Sequence, residues 1–318
     1  MKLKQFYKTA VDFAVKNDPR GVQEVKAYLK TENKKYAALS PNEKAYYDEE
    51  KLTNPYADSR ILYDSGKEIK SILVGIDMEV GELLLAERLS EKGRKIDAVI
   101  THHPEGMAYA RFYDVMDMQA DIFSSFGVTI SASQGLLEKR IKEVGQKVAA
   151  SNHYRTADAA RLLDIPILSM HTVADNCVAS YLQKRTDSKN ISVLQDIIDM
   201  LMQEPEYKEA AKKGNPPVIL AGNKNRKVKK VMVDMTGGTS GPKEIYEKLS
   251  NSGVDTIIGM HFSPEHKKEL ERINMNVVLA GHISSDTLGM NLVLDEVERK
   301  HGKLKIYETS GFKRFARK

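Results

Sequence analysis

The feature that most constrains the fold is an alternation, from Lys70 onward, of short apolar runs and segments with helical spacing. The runs include "SILVGID" (71–77), "DAVITHH" (97–103) and "IPILSMHT" (165–172). Short continuous apolar runs separated by helices of about 10 to 15 residues are typical of βαβ units, whose parallel strands are buried on both faces. The sequence therefore predicts an α/β fold.

The alternation is interrupted once and then resumes. The interruption, "EAAKKGNPPVILAGNKNRKVKK", carries a Pro-Pro, glycines and a basic run, a composition that favours a connection between two halves. Further predicted strands follow it, in "KKVMVDM", "VDTIIGMHF", "MNVVLAGH" and "KLKIYET". We predict two mixed or parallel-sheet α/β halves, residues 70–226 and 227–318. Between the first strands and the interruption, "VTISAS" is predicted as one more short strand.

Residues 1–69 differ from the rest of the chain. Phe6, Ala10 and Phe13 recur with helical spacing, and Ser40 followed by Pro41 is a pattern typical of a helix start. We predict a helical N-terminal extension that packs against the body of the protein.

Composition excludes several classes of function. The chain has 49 basic and 44 acidic residues, so its net charge of +5 does not indicate a nucleic-acid partner. It has one cysteine, Cys177, which excludes an intrachain disulfide and suits a reducing compartment. No stretch approaches the roughly 20 apolar residues of a membrane span, and the first residues do not form a signal peptide. We expect a cytoplasmic protein without a membrane partner.

Candidate functional residues cluster at the ends of predicted strands. Ligands bind beyond the carboxyl ends of the strands in open α/β sheets, and Asp77 also ends a strand there. An aspartate follows two of the histidines after four residues, and such pairs project from one face of a helical turn. The strand-end histidines and their aspartates are His102, His103, His171 with Asp175, and His282 with Asp286.

These six side chains predict a metal site. Imidazole and carboxylate ligands suit Zn, Fe, Mn or Ni as divalent ions. Six ligands exceed the need of one four-coordinate zinc ion, whereas two metal ions bridged by a carboxylate would use them. The competing interpretation is that each histidine caps a strand or packs in the core, which is the commoner role of a single such histidine. Pro104 forces its neighbour into an extended conformation, but this does not explain the imidazoles.

The ordered motifs resemble the Nif-three-like family of NGG-one-interacting factor proteins, some of which are labelled GTP cyclohydrolase type 2 homologues. The motifs are "HHP" at 102–104, "HTVAD" at 171–175 and "GHISSD" at 281–286, and the resemblance covers roughly residues 70 to 310. It implies a dinuclear metal site in a cleft between two α/β halves, with the six side chains as ligands and Asp175 as the bridging carboxylate. It also implies a homo-oligomeric ring, commonly a hexamer built from dimers.

Three departures separate this chain from the family pattern. Asp286 stands where the family has Glu and is one methylene shorter, so we expect one metal to be held less well or through water. The 67 residues between His103 and His171 exceed the usual spacing, and the excess has a helical pattern. Residues 1–69 have no recognised counterpart.

The predicted function is metal-dependent hydrolysis of a small nucleotide-like, phosphoester or cyclic amide substrate, as in GTP cyclohydrolase type 2. His266 or His261, at another strand end, is the predicted proton-transfer residue. The Gly-rich "TGGTSG" (236–241) is either a phosphate-binding loop or, more simply, a tight turn. The alternative function is a non-enzymatic assembly that stores, delivers or senses metal.

Overall fold

The computed structural model describes residues 1–188 and 190–317, and within them the chain forms two β-sheets flanked by α-helices. The predicted α/β fold is confirmed. The strands are β1 Ile61–Tyr63, β2 Ser71–Gly75, β3 Ala98–Thr101, β4 Ile167–Ser169, β5 Val218–Ala221, β6 Val231–Asp234, β7 Thr256–Gly259, β8 Asn276–Leu279 and β9 Lys305–Glu308. The helices are α1 Leu3–Lys16, α2 Val22–Ala38, α3 Pro41–Lys44, α4 Val80–Glu91, α5 Gly106–Ala110, α6 Met118–Ser125, α7 Ile130–Ala149, α8 Arg155–Leu162, α9 His171–Ser188, α10 Leu194–Leu201, α11 Pro205–Lys212, α12 Ile245–Asn251, α13 Pro264–Arg272 and α14 His282–His301, with 3₁₀ turns at Glu49–Leu52 and Phe112–Asp117. No helix in the described part of the chain is both long and apolar enough to cross a bilayer.

Each sheet is a set of parallel strands with one antiparallel strand at an edge. The first has the order β1-β4-β3-β2-β9, in which β1 is antiparallel to β4. The second has the order β5-β8-β7-β6, in which β5 is antiparallel to β8. β9 comes last in the chain but pairs with β2 of the first sheet. The final segment of the chain therefore returns from the second sheet to the first.

The N-terminal segment is mainly helical and packs into the main core. α1 buries Leu3, Phe6 and Ala10 against the first sheet, α9 and α14. Ser40 caps α3 as predicted, accepting a hydrogen bond from the Glu43 amide. The segment also supplies β1, a strand that helical periodicity did not indicate, because three half-buried residues are too few for a visible pattern.

Two local predictions were wrong. "VTISAS" is not a strand, because α7 begins at Ile130 and buries Ser133, Leu137 and Val144 at helical spacing. The stretch before residue 226 is more than a connection, because it contains β5, which follows a Pro-Pro and forms the edge of the second sheet. Proline is tolerated beside an edge strand, so the composition of a linker also suits this strand.

α9 and α14 pack closely at Gly289 in α14. A Cβ atom added to Gly289 would lie 2.4 Å from the backbone oxygen of Ala174 in α9. Real Cβ atoms do not approach backbone oxygen so closely, so any larger residue would push the helices apart. Since both helices begin at predicted ligand histidines, this contact also sets the distance between the two His-x₃-Asp pairs.

We therefore expect Gly289→Ala to destabilise the fold by about 1–3 kcal/mol, because the overpacked helices must separate. The matched control is Gly135→Ala in α7, where an added Cβ would meet nothing within 4 Å. This control should stabilise the fold by about 0.5–1 kcal/mol through helix propensity. Urea unfolding of both variants checks the prediction, and equal stabilities for the two would contradict it.

Candidate metal centre

The tandem histidines follow β3 at the carboxyl edge of the first sheet. The amides of His102 and His103 donate to the carbonyls of Gly75 and Ile76, so the pairing with the segment after β2 continues beyond the strands. The rings lie 5.2 Å apart at an interplanar angle of 69°. His102 is 1 % exposed, whereas His103 is half-buried at the rim. Both imidazoles reach one cluster despite being neighbours in the chain.

The two His-x₃-Asp pairs occupy the first turns of α9 and α14. His171 Nε2 lies 3.8 Å from Asp175 Oδ2, and His282 Nε2 lies 3.5 Å from Asp286 Oδ2. Each pair thus faces one side of its helix, as the spacing predicted. The aspartates are fully or almost fully buried.

All six predicted side chains converge. His102 lies between the two carboxylates, with Nε2 3.1 Å from Asp175 Oδ1 and Nδ1 3.8 Å from Asp286 Oδ2. His103 Nε2 lies 3.6 Å from Asp286 Oδ2 and 3.4 Å from His282 Nε2. Ligand atoms of His102, His103 and Asp286 lie within 4.8 Å of one another, a grouping that can hold a metal ion.

The chemistry of the cluster fits a cation. Both oxygens of Asp286 and Nδ1 of His102 are buried and have no hydrogen-bond partner among residues 1–188 and 190–317. A buried carboxylate without a partner carries a large desolvation cost, which a bound cation would offset. The nitrogen and oxygen donors around it match the preferences of Zn²⁺, Fe²⁺, Mn²⁺ and Ni²⁺.

Burial shifts the pKa values of several predicted ligands. Burial, and then the neighbouring His171, hold the pKa of His102 well below its ordinary value. Burial, with His261 next in effect, lowers the pKa of His282 to about 3. Burial and then Asp175 raise the pKa of Asp286 well above its ordinary value. The imidazoles of His102 and His282 are therefore held neutral, as metal ligation requires, while the carboxyl oxygens of Asp286 lack a hydrogen-bond partner in the described residues.

His171 and Asp175 form a coupled buried pair. Burial lowers the pKa of His171, but Asp175 and the hydrogen bond to Asp58 outweigh burial and raise it. Burial raises the pKa of Asp175, and His171 opposes this effect only in part. Two aspartates therefore act on this imidazole from opposite sides.

Two aspartates outside the predicted ligand set contact predicted ligand histidines. Asp77 Oδ1 lies 2.6 Å from His103 Nδ1, and Asp58 Oδ2 lies 2.7 Å from His171 Nδ1. Asp77 ends a predicted strand and was expected at this edge. Asp58 comes from the N-terminal segment, and no sequence motif linked it to the site.

Two cavities meet at the cluster. An inner cavity of about 50 Å³ is lined by predicted ligands, by the 236–240 loop and by Asp234 and Tyr246. An outer cavity of about 450 Å³ opens onto His103, His171 and His282. Its other walls come largely from the long segment between His103 and His171, including Tyr109, Phe112, His153 and Arg155.

The predicted proton-transfer histidines occupy different positions. The His261 ring lies 4.8 Å from that of His282 and lines both cavities, and burial and then His103 lower its pKa. His266 packs edge-on against Tyr246 at 5.7 Å and lies outside the lining of these two cavities. His261 is therefore adjacent to the predicted ligand His282. His266 instead packs against Tyr246, which lines the inner cavity.

The glycine-rich loop 236–241 is a tight turn that forms one wall of the inner cavity. Gly237 and Gly238 have φ of +92° and +85°, a region that favours glycine. Gln119 Nε2 donates to the carbonyls of Gly237 and Thr239, and Arg140 Nε donates to the Ser240 carbonyl. Its carbonyls are therefore held by side chains from the first half of the chain.

Comparison with known proteins assigns the family. The sequence model of Duf34/NIF3 (NGG1p interacting factor 3) matches residues 140–312, more than half of the chain. This chain belongs to the NIF3 family. The match includes both His-x₃-Asp pairs, and it confirms the resemblance drawn from the motifs.

Solved structures agree with this assignment. A NIF3 superfamily protein from Sphaerobacter thermophilus is 28% identical to this NIF3 protein, with a TM-score of 0.70 over 80% of this chain and 91% of that chain. Reduced HcgD from Methanocaldococcus jannaschii is 16% identical over 79% and 88% of the two chains, with a TM-score of 0.44. A Bacillus cereus protein related to NIF3 is 12% identical over 90% and 96%, with a TM-score of 0.41. At TM-scores below 0.5, the last two add nothing to the assignment. No curated protein matches the chain.

Sequence reasoning missed Asp234 at this NIF3 site. Asp234 ends β6 at the carboxyl edge of the second sheet, and its carboxyl group bonds the hydroxyl of buried Tyr246. Burial raises its pKa to about 6, against the effect of Tyr246. The strand-end rule that selected Asp77 would also have selected Asp234.

Asp286 provides a test of the cluster's affinity for cations. In metal-free protein at neutral pH, Asp286→Leu should raise the free energy of unfolding by about 1–2 kcal/mol, because it removes a buried, unpartnered carboxyl group. The same variant should lose the rise in melting temperature that Zn²⁺ or Mn²⁺ gives the wild type. Thermal and urea unfolding with and without metal measure both effects. Asp12→Leu, at a half-exposed position in α1, should behave as wild type with metal, and full metal-induced stabilisation of Asp286→Leu would contradict the prediction.

The raised pKa of Asp234 predicts that the stability of the fold depends on pH. Because its folded-state pKa, about 6, exceeds the ordinary value of 3.8, the folded state binds more protons than the unfolded state in that range. The stabilisation that proton binding at Asp234 gives the folded state is fully present below the ordinary pKa of 3.8. It is lost as pH rises through the folded-state pKa of about 6. In metal-free protein, the free energy of unfolding of Asp234→Asn should therefore rise by about 2 kcal/mol relative to wild type between roughly pH 4 and pH 7.

Urea unfolding across this pH range measures how the difference between the Asp234→Asn and wild-type free energies changes with pH. The exposed Asp158→Asn should show a constant difference, and a constant difference for Asp234→Asn would overturn the prediction.

Proposed function

We propose that this NIF3 protein holds two divalent metal ions and hydrolyses a small-molecule substrate. The observation that carries the proposal is the convergence of six nitrogen- and oxygen-bearing side chains around a buried carboxylate that has no other partner in the described residues. The proposed ligands are His102, His103, His171, Asp175, His282 and Asp286.

The positions of the two carboxylates support a two-metal arrangement. Asp175 contacts the side of the cluster formed by His102 and His171, and Asp286 lies within 3.8 Å of nitrogens of His102, His103 and His282. When bound, the metal ions would supply Lewis-acid polarisation of a carbonyl or phosphoryl oxygen and would increase the acidity of water. Six protein ligands shared between two ions leave positions for a substrate.

Asp234 is the proposed proton acceptor. Its carboxyl group faces the same inner cavity as five of the proposed ligands, and the Tyr246 hydroxyl donates to it and holds it in place. A pKa of about 6 suits a group that takes up and returns a proton near neutral pH. His261 is the second candidate, because it lies beside His282 at the junction of the two cavities.

The outer cavity is the proposed entrance and substrate site. Tyr109 and Phe112 offer stacked rings with centroids 6.3 Å apart, Arg155 offers a cation, and Glu79 and Glu105 offer carboxylates. A substrate that combines a planar ring with polar or charged groups suits this lining. A nucleotide-like compound is therefore our proposed substrate class, with phosphoesters and cyclic amides as further members of the assay panel.

The remaining predictions rest on the family resemblance and on composition. The ring-shaped homo-oligomer and the small-molecule partner follow from the resemblance. The cytoplasmic location follows from the single cysteine, which is buried as a free thiol.

The test is metal content followed by turnover. Elemental analysis should find about two transition-metal ions per chain in wild type and near zero in the double variant His102→Ala, Asp175→Ala. Metal-loaded wild type should hydrolyse a member of a panel of nucleotides, phosphoesters and cyclic amides. Asp234→Asn should keep its metal and lose about 10²–10⁴-fold in rate, since a general base contributes about this much.

The outcomes separate the alternatives. Unchanged metal content in the double variant would overturn the ligand assignment. Tight, stoichiometric metal binding without turnover on any substrate of the panel would indicate the non-enzymatic storage, delivery or sensing function instead. Full activity of Asp234→Asn would indicate that His261, and not Asp234, is the proton-transfer residue.

A further inference from the structure

Asp58 is a buried carboxylate from a part of the chain that the site motifs do not include. It lies in the N-terminal segment just before β1, and it is completely buried beneath the first turn of α9. A buried carboxylate needs several hydrogen bonds to offset its lost hydration. Its partners therefore indicate what it does.

Four donors surround Asp58. Its Oδ2 accepts hydrogen bonds from His171 Nδ1 and Thr172 Oγ1, both at 2.7 Å. Its Oδ1 accepts from the Thr172 amide at 3.4 Å and from Ser59 Oγ at 3.1 Å. Three of the four donors belong to the residues that begin α9, where the helix dipole also favours a negative charge.

The loop that carries Asp58 is itself held firmly. The Asn54 side chain donates to the carbonyls of Tyr56 and Ser59, and Arg60 donates to the Ala57 carbonyl. Ser59 Oγ in turn accepts from the Val173 amide of α9. The carboxylate therefore has a defined position relative to His171.

We infer that Asp58 is a positioning residue of the proposed metal centre. By accepting the Nδ1 hydrogen of His171, it selects the tautomer whose Nε2 lone pair faces the cluster, where Asp175 Oδ2 lies 3.8 Å away. Carboxylate partners of this kind orient ligand imidazoles and increase their basicity. The inference rests on the proposed metal centre and assigns to the N-terminal segment a part in building it.

The structure contains an internal comparison. Asp77 makes the same contact with His103 at 2.6 Å, but its side chain is 59% exposed, whereas that of Asp58 is fully buried. Water can replace an exposed partner but cannot easily reach a buried one. Asp58 should therefore matter more to its histidine than Asp77 does.

The experiment measures metal affinity by chelator competition with Zn²⁺ in the wild-type chain and in Asp58→Asn, Asp58→Ala, Asp77→Asn and Ser71→Ala. Loss of Asp58 should weaken binding about 10–100-fold, the usual effect of losing such a partner. Asparagine can still accept the Nδ1 hydrogen, so Asp58→Asn should be affected less than Asp58→Ala. Asp77→Asn should be affected least.

Ser71→Ala separates positioning from packing. Ser71 is buried at the start of β2, at the opposite end of that strand from the cluster, and its hydroxyl donates to the Lys95 carbonyl and the Asp97 carboxylate. The variant loses these hydrogen bonds without contacting Asp58 or a proposed ligand, so it should lower the urea midpoint and leave Zn²⁺ affinity within about twofold of wild type. At saturating Co²⁺, the visible absorption bands of Asp58→Ala should shift while those of Ser71→Ala match wild type, because only the first changes the orientation of a ligand.

Two results would overturn the inference. One is wild-type Zn²⁺ affinity and Co²⁺ bands in Asp58→Ala. The other is an equal loss of affinity in Ser71→Ala and Asp58→Ala at matched losses of stability, which would make Asp58 a packing residue only. Failure of wild type itself to bind Zn²⁺ or Co²⁺ would reject the proposed metal centre, and this outcome is seen before any variant is compared.

Discussion

The close contact between α9 and α14 is the constraint on which the site depends. Each helix follows a strand of a different sheet, and each begins with a histidine and an aspartate one turn apart. Gly289 allows the backbones of the two helices to touch at Ala174, so their first turns lie side by side. The histidines after β3 then complete the cluster from the first sheet. Two sheets thus contribute to one centre because the two helices approach closely at Gly289, which has no side chain to separate them.

The cost of this arrangement is a concentration of buried polar groups. Desolvation opposes charge on His102 and His282, and it opposes ionisation of Asp175 and Asp286. Nothing in the described residues hydrogen-bonds the carboxyl group of Asp286. A fold whose net stability is only about 5–15 kcal/mol rarely keeps such a group without a use, and cation binding is the use that the surrounding donors suit.

The N-terminal segment belongs to the body of the protein. α1 lies in the same core as the first sheet and α14, and β1 closes the edge of that sheet. A second buried network continues from this segment. Asp18 accepts hydrogen bonds from the side chains of Tyr56 and Asn176, and Asn176 accepts one from Thr236 of the glycine-rich loop. Through these contacts the segment reaches two walls of the site, although its sequence carries none of the site's motifs.

The sequence by itself determined the α/β class, the two series of strands and helices, and the six side chains that meet. These depend on local rules: apolar runs form strands, strand ends collect polar groups, and side chains four residues apart share a helix face. Only the tertiary structure decided that β9 returns to the first sheet, that Gly289 sets the helix contact, and that Asp58 contacts His171. Those features join residues far apart in the chain, and a contact of that kind is set by how the elements pack and leaves no periodic signal in the sequence.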